Sequence, residues 1–143
     1  MADQRVSVIT LGTTDIARSR RFYVEGFGWS PVFEADEIVF YQLNGLVLGT
    51  FRRDALEADM AVAELASPGA FALAHNVRTR EEVEPLMHRL AEAGGEIVRP
   101  ADEPPHGGYR GYVLDPDGHP WEIAFNHGFA IDEAGNITFG VGD

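Results

Sequence analysis

The chain has 143 residues, 11 Lys and Arg against 23 Asp and Glu, and no cysteine. A formal charge of -12 excludes the phosphate neutralisation that drives nucleic-acid binding, and the absence of Cys excludes disulfides, thiolate metal sites and a thiol nucleophile. One domain is expected, burying about 68% of the surface of its unfolded chain. No apolar run approaches membrane-spanning length, and the opening MADQRVSVIT carries no signal-peptide pattern, so a cytoplasmic protein is expected.

VSVITLG (6–12) alternates around β-branched residues and predicts a strand. In TTDIARSRRFYVEGFGW, Asp15 is placed to cap a helix carrying Ile16, Phe22, Tyr23 and Phe27, which Gly26 and Gly28 end. PVFEA, EIVFYQLN and LVLGTFRR read as three strands, the last two joined at the turn signal Asn44-Gly45. Residues 54–69 are acidic and Ala-rich, end in Pro68-Gly69, and read as a linker with at most a helical turn.

The pattern then restarts. AFALAHNV (70–77) is strand-like, and TREEVEPLMHRLAEAGG opens with a capping box at Thr79 and Glu82. Its apolar stripe is Val83, Leu86, Met87, Leu90 and Ala91, and Pro85 inside it predicts a kink. EIVRP, GYRGYVLD and HPWEIAFN are three more strands. The chain is therefore β-α-β-β-β written twice: module one over about 5–53, the linker 54–69, module two over about 70–126, and a tail 127–143 with a possible hairpin, FAIDEAGNITF, around Ala134-Gly135.

The paired βαβββ order resembles the vicinal oxygen chelate superfamily, which includes glyoxalase I, extradiol dioxygenases and bleomycin-resistance proteins. TTDIARSRRFYVEGFGW, TREEVEPLMHRLAEAGGEIVRP and GYVLDPDGHPWEIAFN carry the likeness, the last being the most specific. The resemblance implies an α+β fold in which the two modules form a curled mixed sheet around a cup, and it implies a homodimer. It also implies, for metal-dependent members, a divalent ion held by side chains from the first and last strands of each module. Carried onto this chain, those ligand positions fall on Val8, on or near Leu48, on or near Ala70, and on Glu122. Only Glu122 is a residue able to ligate, so no cofactor is expected and a divalent metal is disfavoured.

Strand parity sets Trp121, Ile123 and Phe125 on one face and Glu122, Ala124 and Asn126 on the other. By the same alternation Val6, Val8 and Thr10, and Ala70, Ala72 and Ala74, line the cup with Glu122. His75 falls on the opposite face and reaches a metal only through a bulge. His106, in the loop EPPHGGYRGY, with Tyr109 and Tyr112 beside it, is a candidate for contact with a planar ligand, against the plainer reading of a surface His and core aromatics. His119 and His127 read as surface residues. For Glu122 the plainer alternative is pairing with Arg52 or Arg110 in support of the fold. The expected function is capture of a small apolar or aromatic molecule with Glu122 as polar anchor. The alternative is a glyoxalase-like lyase, isomerase or dioxygenase that uses Glu122 as general acid/base or metal ligand.

Overall fold

A computed structural model of the chain describes residues 1–140. In chain order it contains β1 (Val8–Thr13), α1 (Ile16–Arg21), β2 (Pro31–Glu34), β3 (Ile38–Gln42), β4 (Val47–Arg52), α2 (Arg53–Met60) and β5 (Leu73–Asn76). There follow α3 (Val83–Glu92), β6 (Glu96–Asp102), β7 (Tyr109–Leu114), β8 (Pro120–Phe125), β9 (Phe129–Ile131) and β10 (Ile137–Phe139). The sheets have the orders β1-β4-β3-β2 and β5-β8-β7-β6, each with its first strand parallel to its fourth and the rest antiparallel. The repeat read from the sequence is thus a repeat of topology. The tail forms the expected hairpin, Ile137 pairing Ile131 and Phe139 pairing Phe129.

Local chemistry explains the helices. The Asp15 carboxylate accepts a hydrogen bond from the Arg18 amide at 3.0 Å, capping α1. The helix expected to run on to Gly26 changes type: residues Phe22–Gly26 are π-helical. The wider turn lets two consecutive residues, Phe22 and Tyr23, both enter the core with no exposed surface. In module two the Thr79–Glu82 capping box is formed, followed by a 3₁₀ turn over Arg80–Glu82. α3 begins only at Val83, so Pro85 lies in its first turn, where amides lack helical partners. The kink expected there has no physical cause.

One hydrophobic cluster serves both modules. Phe22, Tyr23, Val39, Tyr41 and Leu48 from the first meet Val83, Leu86, Met87, Leu90, Val113, Trp121 and Ile123 from the second. Its centre is aromatic: Phe27 stacks on Trp29 at 4.3 Å between ring centroids, and Trp121 meets Phe27 edge-on at 4.9 Å. At the end of the π-helical segment, a Cβ on Gly26 would lie 2.8 Å from Leu90 Cδ2, so glycine permits the close approach of that segment to α3. Among the described residues no helix is long and apolar enough to cross a membrane.

Candidate functional site

Sheet register assigns each strand residue to the core side or the outer side. Ile9 pairs Leu48 and Leu11 pairs Thr50, while Tyr41 and Val39 lie across from the same two residues of β4. This set faces the helices. Val8, Thr10, Gly49 and Phe40 therefore share the outer face of the first sheet. On the second sheet Leu73, His75, Trp121, Ile123, Gly111 and Val113 face the helix side, and Ala74, Glu122, Tyr112 and Arg110 the outer side.

Several expected site residues move accordingly. Val8 and Thr10 are on the outer face and exposed. Leu48 is not: it is 1% exposed and belongs to the core, because parallel pairing sets Gly49, not Leu48, beside Thr10. Ala70 and Ala72 are exposed and precede β5, which begins at Leu73 rather than at residue 70. The strand starts late because its partner β8 begins at Pro120, which has no amide to donate across the ladder. Tyr109 turns toward α3, where its hydroxyl donates to Glu84 at 3.0 Å and the Arg80 guanidinium sits 4.0 Å over its ring. It is committed to the helix and cannot also stack on a ligand at Glu122's face. His106 is an exposed loop residue.

Glu122 is half-buried between its cross-strand neighbours Tyr112 and Ala74. The two arginines expected as its alternative partners are engaged elsewhere: Arg110 with Asp102, and Arg52 with Glu37 and Asp54. Among the described residues the Glu122 carboxylate has no hydrogen-bonding or ion-pairing partner. His75, beside Ala74 in β5, faces the other way, its ring 5.4 Å from Phe27 and 6.4 Å from Trp29. Burial there pulls its pKa down, opposed by nearby Glu82. Among the described residues no group of three or more His, Asp or Glu side chains is arranged to hold a metal ion.

The rest of the motif around Glu122 clasps the modules together. The backbone amides of Asp117 and His119 both donate to Asp115 Oδ1 at 2.9 Å, shaping the turn. The Tyr23 hydroxyl donates to Asp115 Oδ2 at 2.7 Å and accepts from Trp121 Nε1 at 3.1 Å. Asp115 is 4% exposed, and its desolvation raises its pKa, with His119 and the Tyr23 hydroxyl pulling the other way. Desolvation, then the facing Asp115, push the Tyr23 phenol well above the ordinary range. Asp117 Oδ1 accepts from the Thr14 amide at 2.9 Å and from Arg18 at 3.0 Å. His119, expected at the surface, is half-buried, and its Nε2 donates to the Gly12 carbonyl at 2.8 Å. These cross-module bonds join positions about a hundred apart in the chain, beyond the reach of local pattern.

Comparison with known proteins agrees with this geometry. No curated protein matches the sequence. A glyoxalase-related enzyme from Fulvimarina pelagi is 59% identical, with a TM-score of 0.94 over 96% of this chain and 99% of that one. Two other solved structures share the fold at low identity. A lactoylglutathione lyase from Agrobacterium tumefaciens is 18% identical, with a TM-score of 0.67 over 88% of this chain and 96% of that one. A genomically encoded fosfomycin resistance protein from Listeria monocytogenes is 21% identical, with a TM-score of 0.68 over 87% and 95%. The family model for the Glyoxalase/Bleomycin resistance protein/Dioxygenase superfamily matches residues 5–123. Twice-written βαβββ topology, shared core and sequence match lead to one conclusion: this chain belongs to the Glyoxalase/Bleomycin resistance protein/Dioxygenase superfamily, the vicinal oxygen chelate group.

Proposed function

We propose that this protein binds a small, largely apolar or aromatic molecule on the outer face of its second sheet, with Glu122 as the polar anchor and without a resident metal. The observation that carries this reading is the uncommitted carboxylate: Glu122 is half-buried, while the two arginines expected as its alternative partners serve other acids. A partly desolvated acceptor with no protein donor gains most from a ligand N–H or O–H. Tyr112 beside it offers an aromatic surface. The donor set does not fit a protein-held divalent ion, since Val8 and Ala70 cannot ligate, Leu48 is in the core, and His75 faces away.

A second reading has one observation in its favour, the 59% identity to a protein described as a glyoxalase-related enzyme. On that reading Glu122 moves a proton at the ligand as general acid/base, the chemistry of a lyase or isomerase. Assembly as a homodimer belongs to both readings. The outer face of the first sheet exposes Val8 at 48% and Phe33 at 52%, apolar surface that a second copy would cover.

The test is a thermal-shift screen of small aromatic and apolar compounds against the wild type and Glu122→Gln. Hits whose shift disappears in Glu122→Gln, with the unliganded melting temperature unchanged, support the anchor. Hits that survive the substitution overturn it. Elemental analysis of chelator-free protein tests the metal: a stoichiometric divalent ion lost in Glu122→Gln would overturn the metal-free reading.

A further inference from the structure

Along β5, bordered by Ala74, His75 and Asn76, lies a cleft of about 420 Å³, within the size range of small-molecule sites. Trp29, His75 and Trp121 line it, which places both tryptophans of the chain at one site. Ile131 and Ile137 of the C-terminal hairpin border it opposite. The hairpin is held there by polar latches: Asn44 donates to the Ala134 carbonyl, and Arg78 donates to the carbonyls of Ile131 and Asp132, at 3.2 and 2.9 Å.

We propose that this cleft is a second ligand site, for an uncharged planar aromatic molecule that exchanges one hydrogen bond with His75. Its polar group is distinct from Glu122: His75 pairs Ile123 and faces the helix side, whereas Glu122 faces the outer side across from Ala74, which also borders the cleft. The aromatic preference follows from the two indoles, whose rings favour offset or edge-on partners. The preference for an uncharged molecule follows from the two charges at the rim. Arg78 is spent on backbone carbonyls, and Glu82 accepts from the Thr79 amide and hydroxyl at 2.8 and 2.9 Å. Their opposite charges leave no excess of either sign for a ligand's counter-charge. His75 supplies the polar contact. Among the described residues its ring has no hydrogen-bonding partner, and a neutral imidazole offers one donor and one acceptor.

The test uses the full chain and two probes, 2-naphthol and naphthalene, read by calorimetry and by the two tryptophan indole N–H resonances. Saturable one-to-one binding of 2-naphthol that shifts both indole signals is expected. His75→Phe keeps the ring and removes the hydrogen bond, so 2-naphthol should weaken about fivefold to tenfold while naphthalene is unchanged. Equal weakening of both probes would show His75 acting only as packing, and would overturn the proposal. So would the absence of saturable binding, or loss of binding in Glu122→Gln. Ile137→Lys changes an exposed hairpin residue bordering the cleft and should weaken both probes; unchanged affinity in this variant also overturns the proposal.

Discussion

Removing one oxygen atom, in Tyr23→Phe, tests the clasp between the modules. The hydroxyl is fully buried, donates to Asp115 at 2.7 Å and accepts from Trp121 at 3.1 Å. A hydrogen bond to an ionised acceptor contributes about 2 kcal/mol, and the stranded Trp121 N–H adds about 1, for a loss of about 3 kcal/mol at pH 7. With a urea dependence of about 2 kcal/mol per molar, the unfolding midpoint should fall by about 1.5 M. The pH dependence gives a second handle. Burial holds Asp115 above the usual carboxylate range, so in the window above the unfolded value of about 3.9 the folded state keeps a proton that the unfolded state has released. This group's contribution to stability therefore falls as pH rises through that window and is flat above the folded pKa. The Tyr23 hydroxyl is one of the groups pulling Asp115 down, so its loss raises the pKa further and widens the window. Toward low pH, as Asp115 takes up its proton and the acceptor becomes neutral, the cost of the substitution should fall toward about 2 kcal/mol. A loss below about 1 kcal/mol at pH 7, or a larger loss at pH 4 than at pH 7, would refute the assigned network.

Two other substitutions probe the same architecture. A Cβ on Gly111 would lie 2.4 Å from Met87 Cε and 2.8 Å from the Arg99 carbonyl. The methionine can swing aside but the backbone cannot, so Gly111→Ala should cost about 2 kcal/mol and lower the calorimetric melting temperature by about 6 °C. Asp117→Ala removes the acceptor of the Thr14 amide and should cost about 2 kcal/mol in urea unfolding. Arg18→Ala removes only a half-exposed partner of the same carboxylate and should cost under about 0.5 kcal/mol; equal losses would mean that the ion pair, not the backbone bond, holds the clasp.

The fold was legible where it rests on local periodicity and turn chemistry. Asn44-Gly45, the Thr79–Glu82 box and the alternation in β8 each follow from a few neighbouring residues, and each forms as read. The failures have a common source, the dependence of pairing on a distant strand. The position read as on or near Leu48 falls to Gly49 on the outer face, because a single residue of slip in the β1–β4 register reverses every side chain of β4, and nothing near Leu48 sets that register. Ala70 and Ala72 fell outside β5 because Pro120, fifty residues on, limits the ladder. Tyr109 reads as available only until Glu84 of α3 and Arg80 of the preceding 3₁₀ turn are brought alongside it. A signal for the clasp was present in the two aspartates flanking Pro116, but its partners, Tyr23 and Thr14, lie a module away.

The division of roles within DPDGHPWE bears directly on Glu122. Asp115, Asp117, His119 and Trp121 each hold a named bond to the first module, and those bonds join the two halves of the core. Changes at these positions should therefore unfold the protein before they reveal anything about ligands. Glu122 holds no such bond among the described residues and faces away from the helices. Its replacement by Gln preserves volume and shape and strands no protein donor, so its stability cost should be within about 0.5 kcal/mol. That asymmetry makes Glu122→Gln informative: a variant that melts like the wild type but no longer responds to ligands separates the binding face from the frame that carries it.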